Sequence, residues 1–299
     1  MTAAAARTGA WYAQGRALCG LPRQASGSGT EADRNVRRGS VLLLRAADGG
    51  LTEAWLDLHH LHANPRSTVA NAAMAMFCLE KAAQAGDPVG QRRLGVAMLR
   101  EAQDLPALEL GMAWLATAWR QGDAMARALL QSFVMPVSGD EAAAQAVIAT
   151  VRCSAPLLAA RLSVARAFGL TRAEALSFSP LRDTRRWGLA LGWHPTLRKT
   201  HLSSPRAVLA LHAGAEGALR EAISLYATLP LDEPPTAGRR RAAALRRLLA
   251  GEPGGERLLF PAADSTALQT LKCGPKWAHR QRALIREAMA DHNEDLQNV

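Results

Sequence analysis

Thirteen residues, Ala75 to Asp87, can be laid over Gly111 to Asp123 without a gap. In that overlay Met76 meets Met112, Leu79 meets Leu115, and Gly86-Asp87 meets Gly122-Asp123. The same 36-residue offset relates Leu58, Leu94 and Leu130, and each is preceded four positions earlier by a small residue, Ala54, Gly90 or Ala126. A fixed period of this size constrains the fold more than any other feature of the chain. Each period is one supersecondary unit that cannot bury its apolar face alone, so successive units must stack.

The unit reads as a helical hairpin. Residues 52–62 form a first helix, with Thr52 as N-cap ahead of Trp55, Leu58 and Leu61. Asn64-Pro65 ends it, because proline cannot continue a helix and restricts the residue before it. A second helix over 68–84 puts Ala72, Met76, Leu79 and Ala83 on one face; Gly86 supplies a left-handed C-terminal residue and Asp87 caps the next helix. The cycle repeats as 88–101, 106–121 and 124–134. The fold class expected is mainly α: a short α-solenoid of helical hairpin repeats.

Leu94-Gly95, Lys81-Ala82-Ala83, and the Gly86-Asp87 and Gly122-Asp123 turns resemble the Sel-one-like repeat, a relative of the tetratricopeptide repeat. The resemblance covers roughly residues 51–135. It departs from the family pattern at His59 and Gln131, where glycine is usual, and in the loops Asn64-Pro65 and Asp104-Leu105-Pro106. The resemblance implies an adaptor or scaffold that binds another protein on the concave face of its repeats, with no cofactor.

Beyond the repeats the pattern changes. Residues 1–50, with the linker-like Ser26-Gly27-Ser28-Gly29, read as a flexible lead-in. Residues 138–178 continue as helices, Asp140–Val151 and Pro156–Phe168, like a degenerate capping repeat; a short helix over Thr171–Phe178 opens with a Thr171/Glu174 capping box. From 179 to 290 a smaller basic module reads as α+β or irregular, with strands at Trp187–Trp193 and Ala207–His212 and helices at Glu216–Leu229, 236–250 and 276–290. Residues 291–299 form a tail.

The formal charge is +10, yet arginine supplies 32 of 36 basic side chains, as in a GC-rich bacterial gene, which discounts the charge as a nucleic-acid signal. The excess is uneven: 14 basic and 13 acidic groups precede residue 151, and 22 and 13 follow it. Cys19, Cys78, Cys153 and Cys273 lie at least 50 residues apart, which excludes a CxxC zinc site and fits isolated thiols in a reducing cytoplasm. The longest apolar run, Ala72 to Leu79, is too short to cross a bilayer, and Arg7 and Arg16 interrupt any secretory signal. A cytoplasmic protein is expected.

Two sets of residues stand out as binding groups. Trp55, Trp114 and Trp119 lie within the repeats, and Trp119 replaces the small residue that Ala83 provides one period earlier. Large rigid aromatics anchor partner contacts; at helical spacing they also build cores. Arg239, Arg240, Arg246 and Arg247 share a helix whose other face holds Leu245, Leu248 and Leu249, with Lys276, Arg280, Arg282 and Arg286 on the last helix. That face suits phosphates, acidic side chains or an anionic lipid surface. Without interleaved aromatics it is a poor single-strand nucleic-acid platform, and a solvated helix face in a GC-rich gene is the favoured reading of it. His59 and His62 share a face without a third ligand. No GxSxG, phosphate loop or HExxH is present. Glu174 with Asp183, or His194 with His201, make acid–base pairs only by assumption. The expected function is partner binding rather than catalysis, with an anion- or nucleic-acid-associated adaptor as the alternative and an enzyme with an unrecognised site third.

Overall fold

The structure is a computed structural model, and it describes residues 3–21, 35–191, 206–229, 236–252, 254–262 and 277–289. Among the described residues the chain is mainly helical, with fifteen helices and three short strands. It divides into two compact units: residues 1–97, 117–126 and 286–299 form the first, residues 98–116 and 127–285 the second.

The first unit opens with α1 (Ala3–Cys19), α2 (Val36–Asp48), α3 (Glu53–Ala63) and α4 (Ala72–Gln84), each packed on the next. The sequence led us to expect a flexible segment over residues 1–50; α1 and α2 stand within it, and the linker-like Ser26-Gly27-Ser28-Gly29 lies outside the described residues. Glycines are what permit their contact. A Cβ at Gly39 would lie 2.8 Å from the Gly15 carbonyl oxygen, and one at Gly15 would lie 3.0 Å from the Gly39 oxygen. The two backbones therefore touch, and Leu43, Ala46 and Ala47 of α2 are buried with Ala54, Trp55, Leu58 and Leu61 of α3 and Cys78 and Ala82 of α4.

The helix α2 is itself a copy of α4. Both are 13 residues long and begin 36 residues apart; Asn35 accepts the Arg38 N–H and Asn71 the Met74 N–H, each at 3.0 Å. Both helices end in the same turn, which recurs a third time after α6 (Leu105–Arg120). Gly50, Gly86 and Gly122 have φ of 93°, 90° and 94°. Their N–H groups donate to Ala47, Ala83 and Trp119, and the following N–H groups of Leu51, Asp87 and Asp123 donate to Ala46, Ala82 and Ala118. These are the 5→2 and 6→1 bonds that satisfy a helix's last carbonyls when glycine takes the left-handed conformation. The 36-residue register therefore starts one copy earlier than the sequence overlay shows, and all three turns lie in the first unit.

The turn also starts the next helix. Asp87 Oδ1 accepts the Gly90 N–H and Asp123 Oδ1 the Ala126 N–H, both at 2.7 Å, capping α5 (Pro88–Glu101) and α7 (Ala124–Gln131). Thr52, expected to cap α3, has a helical backbone and makes no side-chain cap bond. A Cβ at Gly90 would sit 2.8 Å from the Ala82 Cβ, so a small residue is needed for α5 to approach α4. Asp123 further pairs with Arg92 at 2.5 Å, and Arg92 Nε donates to the Ala288 carbonyl. The second hairpin helix begins at 72 rather than 68 because Asn71 caps it, and 64–70 form turns instead.

The second unit buries one core from α8 (Glu141–Ser154), α9 (Pro156–Phe168), α10 (Arg172–Ser177), α11 (Ala213–Tyr226), α12 (Ala237–Leu248), α13 (Gly255–Leu259) and a small sheet. The sheet is antiparallel in the order β1 (Thr184–Arg185), β2 (Gly188–Leu191), β3 (Arg206–Leu209), with Leu189 opposite Val208. Both expected strands form; β3 ends at Leu209, before His212, and Gly192 and Trp193 of the first run lie outside the described residues. The Thr171/Glu174 capping box forms as expected. The last expected helix is broken at Gln281 into α14 (Trp277–Arg280) and α15 (Arg282–Met289).

Gly86→Ala tests the turn in isolation: nothing lies within 4 Å of the added Cβ, so its cost is backbone strain of about 1–2 kcal/mol in denaturant unfolding. Gly39→Ala should cost more than Gly86→Ala in the same assay, because α1 and α2 must separate. A smaller loss at Gly39 would contradict the close packing.

Candidate functional site

The repeat tryptophans do not form one surface. Trp55, expected as a partner-binding residue, is only 8% exposed; the Ala54–Leu58–Leu61 stripe turns it into the core shared with α2 and α4. Its ring meets that of Phe77 edge-on, with centroids 6.0 Å apart and planes at 81°. Trp114 and Trp119 are half-buried in α6. Five residues apart, they point about 140° away from one another around the helix axis. Ala47 and Ala83 occupy the position of Trp119 in the earlier copies and are buried, so Trp119 is peculiar to its repeat. Trp187 is half-buried at the entry to β2, and Trp193 lies outside the described residues.

The arginine face of α12 is arranged as its heptad spacing implies. Arg239, Arg240, Arg246 and Arg247 are exposed or half-exposed, while Leu245 and Leu249 are buried in the core of the second unit. Arg241, between the pairs, turns inward and donates from Nη1 to the Leu176 carbonyl at 2.6 Å. Among the described residues none of the four outward arginines has an ion-pair partner. Arg246 and Arg247 sit in the last turn, where the helix dipole favours cations; Arg239 and Arg240 sit near the first turn, where it disfavours them. Arg280 is exposed on α14 and Arg282 and Arg286 on α15, and Lys276 lies outside the described residues.

Several buried polar groups are committed to the fold. Arg206 on β3 holds Glu174 with two bonds of 2.7 and 2.8 Å and donates to the carbonyls of Phe133 and Gly169. Glu174 Oε2 also accepts the Thr171 N–H, so both carboxylate oxygens are occupied and Glu174 is no free acid or base. Arg161, fully buried, donates to the Tyr226 hydroxyl at 2.6 Å and to the Phe178 carbonyl, and stacks over both rings. His59 Nδ1–H donates to the Ala75 carbonyl at 2.9 Å and His62 Nδ1–H to Val69 at 2.6 Å. The His59 contact ties α3 to α4. Among the described residues no group of three His, Cys, Asp or Glu could hold a metal ion. His194 and His201 lie outside the described residues.

Asp183 accepts the Ser179 N–H at 2.7 Å just before β1. Burial pushes its carboxyl up to about 6, against the opposing pull of that N–H and of Arg182, Arg185 and Arg161. Burial also raises the thiols of Cys19 and Cys78 to about 11, so neither is an activated nucleophile.

The outward side of α2 and α4 carries a feature that the repeat pattern did not point to. Val41 (51%), Leu44 (39%), Met74 (39%) and Phe77 (43%) are exposed. Val41 and Phe77 occupy the same position in successive copies, a match visible only once the register is carried back past residue 51.

No family profile, no curated protein and no solved structure matches the chain.

Replacing Arg206 with methionine (Arg206→Met) leaves a buried carboxylate in the second unit and should cost about 3–5 kcal/mol in urea unfolding. For Asp183 the folded state holds a proton that the unfolded chain releases between its ordinary value of 3.8 and about 6. Stability from this group therefore falls as pH rises through that window, and Asp183→Asn should remove the fall. An unchanged difference between the urea midpoints of the two proteins across the window would contradict it.

Proposed function

We propose that the chain is a non-catalytic adaptor whose helical-hairpin repeats, of Sel-one-like type, stack as a short solenoid and bind another protein. The observation that carries this reading is the threefold recurrence of one turn, at Gly50, Gly86 and Gly122, each closing a helix and opening the next at a constant step. Equal steps align equivalent helix faces, and a row of such faces is a continuous recognition surface. Trp119, half-buried where Ala47 and Ala83 are buried, is the residue by which the third copy departs from the first two.

A second reading draws on α12, whose four outward arginines lack counter-charges among the described residues. It makes the protein an anion-associated adaptor engaging an acidic or nucleic-acid partner.

Affinity capture with the full chain separates the two. The adaptor reading predicts a protein partner retained in about 1 M salt, where the Debye length is roughly 3 Å. It also predicts that Trp119→Ala lowers recovery severalfold while alanine at Arg239, Arg240, Arg246 and Arg247 does not. Release by salt, together with loss in the arginine variant alone, would transfer the function to α12.

A further inference from the structure

We infer that the outward face formed by α2 and α4 is the docking surface for an acidic amphipathic helix of a partner protein. This rests on the adaptor reading and adds to it the surface used and the chemistry of what binds there.

The face has an apolar centre. Val41 and Leu44 of α2 and Met74 and Phe77 of α4 are the large apolar side chains that the first unit leaves exposed among the described residues. Because α2 and α4 are copies with the same caps and the same terminal turn, Val41 and Phe77 occupy equivalent positions, and both are exposed. Spacings of three along each helix, 41 to 44 and 74 to 77, match the ridge spacing that receives a third helix. Phe77 is held in place: Trp55 supports its ring edge-on from the core and the Lys81 ammonium lies 5.5 Å from its centroid. A rigid, half-exposed aromatic backed by a buried one has the form of an interface anchor.

The rim is cationic. Arg37, Arg38 and Arg45 are exposed on α2 and Lys81 on α4, against the exposed carboxylate of Asp48 and the half-exposed one of Glu80. Among the described residues the three arginines have no ion-pair partner. An apolar seam edged by unpaired cations complements a helix with apolar residues at i, i+3, i+4 and i+7 flanked by Asp and Glu. A membrane surface fits less well. The four apolar residues are each about half covered by their own unit, too little projection for insertion among acyl chains.

The test is a selection of helix-forming peptides of random sequence, displayed on phage, against the full-length protein. Enriched peptides should have helical apolar spacing and net negative charge. Val41→Asp combined with Phe77→Asp should weaken them at least tenfold, and Arg38→Glu combined with Arg45→Glu should shift the selected charge toward positive. Circular dichroism and urea midpoints matching the parent show that these surface variants are folded. Peptides insensitive to both pairs of changes but lost in Trp119→Ala would overturn the docking surface and leave the adaptor reading standing. Failure to select any peptide would count against both. Binding to vesicles of phosphatidylserine and phosphatidylcholine that is abolished by the Val41/Phe77 variant would overturn the inference in favour of a lipid surface.

Discussion

A glycine in the left-handed conformation, placed once every 36 residues, sets the geometry on which the first unit depends. At Gly50, Gly86 and Gly122 the chain leaves a helix through the same pair of backbone bonds, and only a residue without a Cβ takes φ near +90° without strain. The constraint acts at both ends of the turn. It finishes one helix, and in two of the three copies it delivers an aspartate to the N-cap of the next. With the step set, the inward positions repeat: Leu43, Leu79 and Leu115 are buried at equal intervals, as are Ala46, Ala82 and Ala118. Small residues at Gly15, Gly39 and Gly90 allow the paired helices to approach until backbones touch.

The second unit is ordered differently. Its core joins helices of three separate stretches to a minimal sheet, and the organising contact is the buried Arg206–Glu174 pair. Arg206 leaves β3 and satisfies the carbonyls of Phe133 and Gly169 while clamping a carboxylate that is already part of a helix cap. Breaking such a pair is costly because it leaves a buried charge, whereas forming it adds little net stability. Its value is in fixing which segments meet. Of the polar side chains in this unit that the sequence suggested for acid–base chemistry, Glu174 is consumed by this role.

The 36-residue step between turns was legible in the sequence because periodicity survives substitution: Met76 with Met112 and Gly86-Asp87 with Gly122-Asp123 mark it directly. The first copy was not legible. Its aspartate is replaced by Leu51, and α1 carries glycines at 9 and 15 that local propensity counts against a helix. Tertiary packing against Gly39 is what makes Gly15 favourable, whereas Gly9 borders open space. The arginine face of α12 was readable from heptad spacing alone. The tryptophans were not, since aromatic residues on an amphipathic helix serve core and surface equally, and burial of Trp55 depends on neighbours on α2 and α4 that sequence distance conceals. The exposed pair Val41 and Phe77 was hidden for the same reason as the first copy.

The central claim is that one hairpin step is interchangeable with the next, and deleting a single step tests it most directly. Removing residues 51–86 joins Gly50 to Asp87 and recreates the Gly-Asp turn that the chain already uses at 86–87 and 122–123. The shortened protein should still unfold cooperatively and lose the helical signal of one hairpin, while removal of residues 51–83, three short of a period, should abolish cooperative unfolding. Equal loss of structure in both deletions would contradict the claim.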